Sequence, residues 1–181
     1  MENYYEMIVN VAINTHKEPL EILVVFLNED EKEEILKEIK RYDFVKKVKT
    51  ILEKDLNTLN LQEKFDLIIS YNYHDFFTAL LKEDGVAVID GKNYFNSLEE
   101  HKEILKNSAK AFYIAMPFVV YLEDEVKTPI LLSKKYHPTA DINLQRAELM
   151  DGLRYYNSDI HVASFAKPTY IAKELLGIAK N

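Results

Sequence analysis

The chain has 181 residues, 48% of them hydrophobic, and a formal net charge of −7. This length favours one domain with a core of useful size, which we place over residues 1–181. No apolar run approaches the roughly 20 residues of a membrane span. No Lys/Arg cluster is free of interleaved Glu, which argues against nucleic acid as a partner. Cysteine is absent, which excludes disulfides and thiol catalysis, and with no signal peptide visible we expect a cytoplasmic protein.

The first third of the chain predicts the opening of an α/β sheet. A short buried helix is predicted over Met7–Ile13 and a buried strand over Glu21–Leu27. Asn28 to Asp30 should cap a helix that runs to about Arg41, and we expect Glu29 to Glu34 to be its solvated start. The more polar Val45–Leu52 is expected to be a strand near the sheet edge. A short helix or turn follows over Asp55 to Gln62.

The central strand is predicted within Lys64 to Asn72, because Leu67-Ile68-Ile69 is too short for a helix and does not alternate. A helix over Phe76–Leu81 should end in the KEDG segment at Lys82–Gly85. The next strand is Val86–Asp90, followed by an amphipathic helix over Tyr94–Asn107. In open α/β sheets ligands bind beyond the carboxyl ends of such strands, so we expect the site near Ser70 to Asp75.

The last third predicts an antiparallel hairpin and further helices. Ala111–Leu122 is expected to be a long strand interrupted by Pro117, with Pro129–Ser133 as its hairpin partner. Helical spacing begins again at Asp141, and a last helix is predicted over Thr169–Ala179. The fold class is therefore α/β, with a mostly parallel sheet, helices on both faces and a C-terminal antiparallel hairpin.

Sequence motifs for common cofactor sites are missing. The four glycines all lie at residue 85 or later, and no G-x-G-x-x-G, P-loop, H-E-x-x-H or G-x-S-x-G pattern occurs. The five histidines are scattered without an i, i+4 pair, so we expect no metal site. An acidic surface suits a small cationic ligand weakly.

A family resemblance emerges at the segment RYYNSDIHVASFAKP, from Arg154 to Pro168. It resembles the Y-Y-N-x-x-[IV]-H-x-A-A-F-x-L-P segment of spermidine synthases, the aminopropyltransferases of polyamine synthesis. Tyr4 to Val25 is similar to the family's Y-x-E-M run that leads into the first sheet strand, and Leu80 to Ile89 is similar to its L-K-x-D-G strand entry. The resemblance implies a Rossmann-like sheet of the methyltransferase type.

The departures from the family pattern imply impaired catalysis. The chain resembles a truncated member without the family's N-terminal β-domain, and about one β-α unit after the first strand is lost. The family's glycine-rich G-G-G-D-G loop is replaced by Phe26 to Asp30, and I-P-T-Y-P by Ala115 to Leu122 with Val119 in place of its tyrosine. The family's catalytic aspartate aligns with Tyr71, a phenol that is a poor base at neutral pH.

The resemblance also names candidate site residues. Asp75 is the candidate to replace the lost base, beside Tyr71 at the family position, and Glu53 lies where an acid would contact adenine. Tyr4 and Glu6 are candidate polyamine contacts. Tyr155 and Tyr156 are candidates to line the ligand cleft, against the alternative that they only pack the core. His161 is expected to be a core histidine, and His74 with Asp75 to be either an acid–base pair or a polar loop.

Three functions follow from these observations. The favoured hypothesis is a spermidine synthase-like protein without efficient catalysis that binds a polyamine (putrescine or spermidine), binds methylthioadenosine, or serves as an interaction partner. The first alternative is an active aminopropyltransferase that makes spermidine from putrescine, with decarboxylated S-adenosylmethionine as the second substrate and no other cofactor. The second alternative is a structural or regulatory subunit, as a homo-oligomer or with a protein partner.

Overall fold

A computed structural model describes residues 2–60 and 62–181. The helices are α1 (Glu2–Thr15), α2 (Glu29–Ile39), α3 (Phe77–Leu80), α4 (Leu98–Ser108), α5 (Leu144–Glu148), α6 (Ser158–Ser164) and α7 (Thr169–Glu174). The strands are β1 (Glu21–Phe26), β2 (Lys47–Leu52), β3 (Phe65–Ser70), β4 (Leu81–Ile89), β5 (Ile114–Pro117), β6 (Val120–Tyr121), β7 (Val126–Lys127) and β8 (Ile130–Ser133). Two short 3-10 helices cover Glu53–Thr58 and Ala109–Ala111.

The main sheet has six strands in the order β2-β1-β3-β4-β8-β5. The four strands from β2 to β4 pair in parallel, and β8 joins β4 and β5 in antiparallel register. The predicted fold class is therefore confirmed, including the antiparallel hairpin at one edge. β2 lies at the opposite edge, as its polar sequence predicts, and its residues are exposed or half-buried.

Side chains of the central strands divide between two cores, one on each face of the sheet. Ile22 and Val24 of β1 belong to the core that contains α1 and α2, whereas Leu23 and Val25 belong to the core that contains α4 and α7. β3 and β4 show the same division, because successive side chains of a strand point to opposite faces. A continuous apolar run is what such a doubly covered strand requires.

α1 is longer and more deeply buried than predicted. All its residues from Tyr4 to Thr15 are buried, polar ones included. Asn10 donates to the backbone oxygen of Glu6, and Thr15 donates to that of Val11. The hydroxyl of Tyr42 donates to Asn10 Oδ1, so these buried polar side chains of the helix find partners within the protein.

Several predicted boundaries are wrong. The KEDG segment does not end a helix: α3 stops at Leu80, and β4 begins at Leu81 and takes Lys82–Gly85 into the strand. The register between β3 and β4 shifts there, with Phe65 opposite Leu81 and Leu67 opposite Val86, which accommodates the extra residues. The short element predicted over Asp55 to Gln62 is the 3-10 helix Glu53–Thr58; residue 61 lies outside the described residues.

The strand predicted over Ala111–Leu122 is interrupted at Pro117, as expected, because the chain leaves the sheet there. The backbone amide of Phe118 donates to Pro129 O, and that of Val119 donates to Ser164 O. The acidic turn that follows is the tip of the small β6-β7 hairpin. Only α5 forms in the helical stretch predicted from Asp141; it ends at Glu148, and Gly152 further along takes a positive φ of 73°, which no helix residue has.

Near the C-terminus one helix was not predicted and another is shorter than expected. α6 is a separate helix capped by Asn157, whose side chain accepts from the backbone amide of Ile160. The last predicted helix, Thr169–Ala179, is shorter than expected, because α7 ends at Glu174.

Candidate functional site

A cavity of about 190 Å³ lies at the carboxyl ends of β1, β3 and β4. We call it the crevice. Its lining residues are Tyr4, Tyr5, Leu27, Asn28, Glu31, Tyr71, Asp90 and Lys127. The parallel strands bring the residues that follow them to one edge of the sheet, which is where open α/β sheets bind ligands. Tyr4 and Tyr5, from the first turn of α1, complete the lining of the crevice.

In the loop after β1, backbone amides donate hydrogen bonds to the side chains of Asn28 and Glu31. Asn28 caps α2 by accepting from the backbone amide of Glu31 at 3.0 Å. The Glu31 carboxylate accepts from the backbone amide of Leu27 at 2.7 Å. This reciprocal arrangement resembles a capping box and satisfies amides at the positive end of the helix. Glu31 is 7% exposed, so the prediction that Glu29 to Glu34 is a solvated helix start is wrong at this residue.

Asp90 is the acid that faces the crevice from the end of β4. It is 8% exposed, and its Oδ1 has no hydrogen-bond partner among the described residues. Its backbone amide donates to Tyr71 O at 3.1 Å, which ties the ends of β4 and β3 together. Asp90 follows a buried strand directly, and that position is the sequence signal by which it could have been recognised.

The two buried carboxylates give the crevice a negative potential. Burial raises the pKa of Glu31; the Leu27 amide opposes this shift, and the charges of Glu53 and Asp90 add to it. Burial and then the charges of Asp90 and Glu31 raise the pKa of Tyr4 well above its ordinary value. Lys127 is the cation on the lining, and its ammonium pairs with Glu125 at 3.1 Å. The arrangement suits a cationic ligand better than an anion.

A second hollow lies beside the crevice and shares Leu27 with it. Leu52, Glu53, Lys54 and Asn72 line the rest. Glu53 Oε1 accepts from Asn72 Nδ2 at 2.7 Å and contacts His74 Nε2 at 3.1 Å. Its Oε2 is buried and has no partner among the described residues. Glu53, predicted to contact adenine, therefore lines a hollow next to the crevice and has one buried oxygen without a partner among the described residues.

The candidate bases lie in different surroundings. Tyr71 lines the crevice. Asp75 is exposed in the loop before α3 and is not on the crevice lining. His74 contacts Glu53 and stacks on Phe76 with ring centroids 5.3 Å apart. The structure thus places His74 against Glu53, and Asp90, not Asp75, is on the crevice lining with Tyr71.

The remaining candidates divide between the crevice and the core. Tyr4 lines the crevice. Glu6 instead accepts from the backbone amides of Arg154, Tyr155 and Tyr156 at 3.1, 2.7 and 2.7 Å, so its carboxylate is fully engaged within the protein.

Tyr155 and Tyr156 contact protein groups, as the packing alternative predicts. The Tyr155 hydroxyl accepts from the Tyr121 amide at 3.0 Å. The Tyr156 hydroxyl lies 2.8 Å from His161 Nδ1, and His161 Nε2 lies 2.9 Å from Pro138 O. Burial lowers the pKa of His161 to about 4, so this histidine is a neutral core residue with both ring nitrogens engaged.

No helix in the described residues is long and apolar enough to cross a membrane. No protein-family model matches the chain.

Curated proteins similar in sequence are polyamine aminopropyltransferases. The protein of Helicobacter pylori strain HPAG1 is 37% identical over 112 residues, which cover 59% of this chain and 43% of that protein. The Thermotoga petrophila protein is 32% identical over 99 residues, covering 52% of this chain and 33% of its own length. The chain thus spans less than half the length of these relatives.

Solved structures agree in fold. Spermidine synthase from Thermotoga maritima superposes with a TM-score of 0.79 at 23% identity, over 96% of this chain and 74% of that one. A spermidine synthase in complex with the transition-state analogue AdoDATO gives a TM-score of 0.81 at 22% identity, with the same coverage. A phosphoethanolamine N-methyltransferase from Haemonchus contortus gives 0.55 at 16% identity, over 76% of this chain and 39% of that one. The predicted resemblance is therefore confirmed, and the chain is a relative of the polyamine aminopropyltransferases that has the spermidine synthase fold.

Proposed function

We propose that the chain binds a polyamine or a methylthioadenosine-like nucleoside in the crevice and transfers aminopropyl groups poorly or not at all. The observation that carries this proposal is the loop after β1. Its amides are satisfied by Asn28 and Glu31, and side chains stand where the family's glycines would let backbone approach the substrate.

The transfer reaction makes clear what is missing. The amine of putrescine attacks the methylene beside the sulfonium of decarboxylated S-adenosylmethionine, the carbon–sulfur bond breaks, and a base accepts the proton of the amine. At the family's position of that base stands the phenol of Tyr71. A phenol at neutral pH is already protonated and cannot accept the proton.

Features that favour ligand binding remain. The crevice keeps its place at the carboxyl ends of the strands, an aromatic wall from Tyr4 and Tyr5, and the carboxylates of Glu31 and Asp90. Putrescine, spermidine and decarboxylated S-adenosylmethionine are all cations, and paired carboxylates hold ammonium groups by charge-assisted hydrogen bonds. Glu53 Oε2 supplies a free acceptor for an adenine amino group in the adjoining hollow.

The experiment combines thermal melts with a turnover assay. Melts are recorded with millimolar putrescine, spermidine and methylthioadenosine in turn, because a ligand at about 100 times its dissociation constant adds about 2.7 kcal/mol, or several degrees. Asp90→Asn should reduce the shift with the amines, and Asp75→Asn is the matched control at an exposed carboxylate. The absence of a shift with every ligand refutes the binding proposal.

Asp90 is also the observation that favours the second candidate function, an active aminopropyltransferase. This carboxylate lies in the crevice beside Tyr71, so it is placed to accept the proton that the family's aspartate would take. Formation of spermidine and methylthioadenosine from putrescine and decarboxylated S-adenosylmethionine, lost in Asp90→Asn, would establish this alternative. If the parent chain and Asp90→Asn both show only background turnover, the result supports a chain with impaired catalysis.

A further inference from the structure

A second cluster of polar side chains lies at the amino ends of the parallel strands, the end of the sheet opposite the crevice. It consists of His16 just after α1, Asp66 in β3 and Asp84 in β4. One ligand atom from each lies within 4.8 Å of the other two, and this is the one such group of three among residues 2–60 and 62–181. His16 is 2% exposed and Asp66 is 4% exposed.

His16 directs an unpartnered nitrogen into the cluster. Its Nε2 is buried without a hydrogen-bond partner among the described residues and lies 3.6 Å from Asp84 Oδ1. Two ligands of a tetrahedral ion at bond lengths of 2.0–2.1 Å stand about 3.4 Å apart. The His16–Asp84 spacing is therefore within a few tenths of an ångström of the distance that a shared metal ion requires.

The carboxylates carry an excess of negative charge. Asp66 Oδ2 accepts from the backbone amides of Leu20 and Glu21, and Asp66 Oδ1 pairs with Lys82 Nζ at 2.9 Å. The Lys82 ammonium also pairs with the Glu21 carboxylate at 2.8 Å, so one cation serves two acids. Asp84 Oδ2 accepts from the Tyr136 hydroxyl at 2.9 Å, whereas Asp84 Oδ1 has no lysine or arginine partner in the part of the chain that the structure describes. The Asp84 side chain is 34% exposed, which gives the cluster a route to solvent.

We propose that His16, Asp66 and Asp84 form a binding site for a divalent transition-metal ion of the Zn²⁺ and Co²⁺ class. One imidazole and two carboxylates form a mixed nitrogen and oxygen ligand set, which suits these ions better than Ca²⁺ or Mg²⁺. With three protein ligands the fourth position is left for water. The ion would join the end of α1 to β3 and β4, far from the crevice.

Two groups move when the ion binds. The Lys82 ammonium leaves Asp66 Oδ1, keeps its contact with Glu21 and turns towards solvent. The His16 Nδ1 now accepts from the Glu18 amide at 3.1 Å, so the ring carries its proton on Nε2. Metal binding at Nε2 transfers that proton to Nδ1, and the amide of Glu18, an exposed residue, turns to water. Both changes weaken binding, and the second leaves the Nδ1–H of the buried His16 ring without its present partner.

The test is titration of the whole chain with Zn²⁺ by calorimetry and with Co²⁺ by visible absorption. We expect one saturable site with a Co²⁺ spectrum of low coordination number, at least tenfold weaker in His16→Gln and in Asp84→Asn. Lys82→Gln should bind about tenfold more tightly, because it frees Asp66 and removes a competing positive charge. His137→Gln, at a histidine outside the cluster, is the matched control and should bind as the parent chain does.

The opposing effects make the test decisive. A loss of metal binding in His16→Gln or Asp84→Asn, with tighter binding in Lys82→Gln, supports the metal site. Circular dichroism identifies any variant that has not folded. If His16→Gln does not fold, the results for Asp84→Asn and Lys82→Gln are used in its place. No saturable binding by the parent chain, or equal binding by His16→Gln, overturns the proposal. The group would then be a structural cluster in which Nε2–H of His16 faces the Asp84 carboxylate at 3.6 Å.

Discussion

Replacement of Glu6 by Gln separates a structural role from a ligand-binding role for this carboxylate. Glu6 is 5% exposed, and its two oxygens accept three backbone N–H groups from the segment before α6. Hydrogen bonds to a charged acceptor contribute about 1.5 kcal/mol each at the low end of their range. The amide of Gln keeps one acceptor oxygen and turns an NH₂ donor towards N–H groups. We therefore expect Glu6→Gln to lower the free energy of unfolding by about 3–4 kcal/mol.

Urea denaturation followed by far-UV circular dichroism measures this loss. At about 2–4 °C per kcal/mol for a domain of this size, the melting temperature should fall by roughly 10 °C. Glu33→Gln, on the exposed face of α2, is the control and should stay within about 0.5 kcal/mol of the parent chain. A loss below about 1 kcal/mol in Glu6→Gln, together with weakened putrescine binding, would refute the structural assignment and return Glu6 to the ligand site.

Three further predictions concern groups outside the crevice. Burial lowers the pKa of His161 from 6.5 to about 4, so between these pH values the imidazole binds a proton in the unfolded chain but not in the folded one. The free energy of unfolding should therefore be highest above pH 6.5 and fall by about 3 kcal/mol as the pH is lowered to 4. His161→Gln should lose most of that slope in denaturation at pH 7, 5.5 and 4. Arg146→Lys should cost about 1–3 kcal/mol by chemical denaturation, because the guanidinium donates to Ile13 O, His16 O and Lys17 O at the end of α1 in a geometry that an ammonium cannot match. Tyr156→Phe should cost about 1–2 kcal/mol and leave the crevice ligands bound equally well in melts, because its hydroxyl contacts His161 in the core.

The sequence predicts the sheet well because apolar runs and turn residues are local signals. The strand around Leu67 and the antiparallel pairing at the C-terminal edge both follow from such patterns. The KEDG segment was misassigned because its extension into β4 depends on Asp66 and Lys82, which pair across strands and leave no periodic trace. Tertiary contacts decide such segments against their local turn propensity.

The candidate site was only partly predictable. Tyr4 and Tyr71 were found through the family pattern, and both line the crevice. Glu31 and Asp90 were missed, because one looks like a solvated helix residue and the other like the end of a strand. Glu6 was assigned to a ligand because the donors that occupy it lie about 150 positions further along the chain. Contacts of that separation cannot be recognised from one sequence without an alignment.

Burial of α1 has a consequence for the order of events during synthesis. This helix is made before its partners, because Glu6 meets its donors at residues 154–156, and Asn14 O accepts from the amide of Asn143. A nascent chain must therefore carry an apolar helix whose Glu6 has no partner until residues 154–156 have left the ribosome. Loop closure over such distances is slow and exposes hydrophobic surface meanwhile. Newly made chains that stop before residue 154 should consequently depend on chaperones that hold exposed helices, whereas completed chains should not.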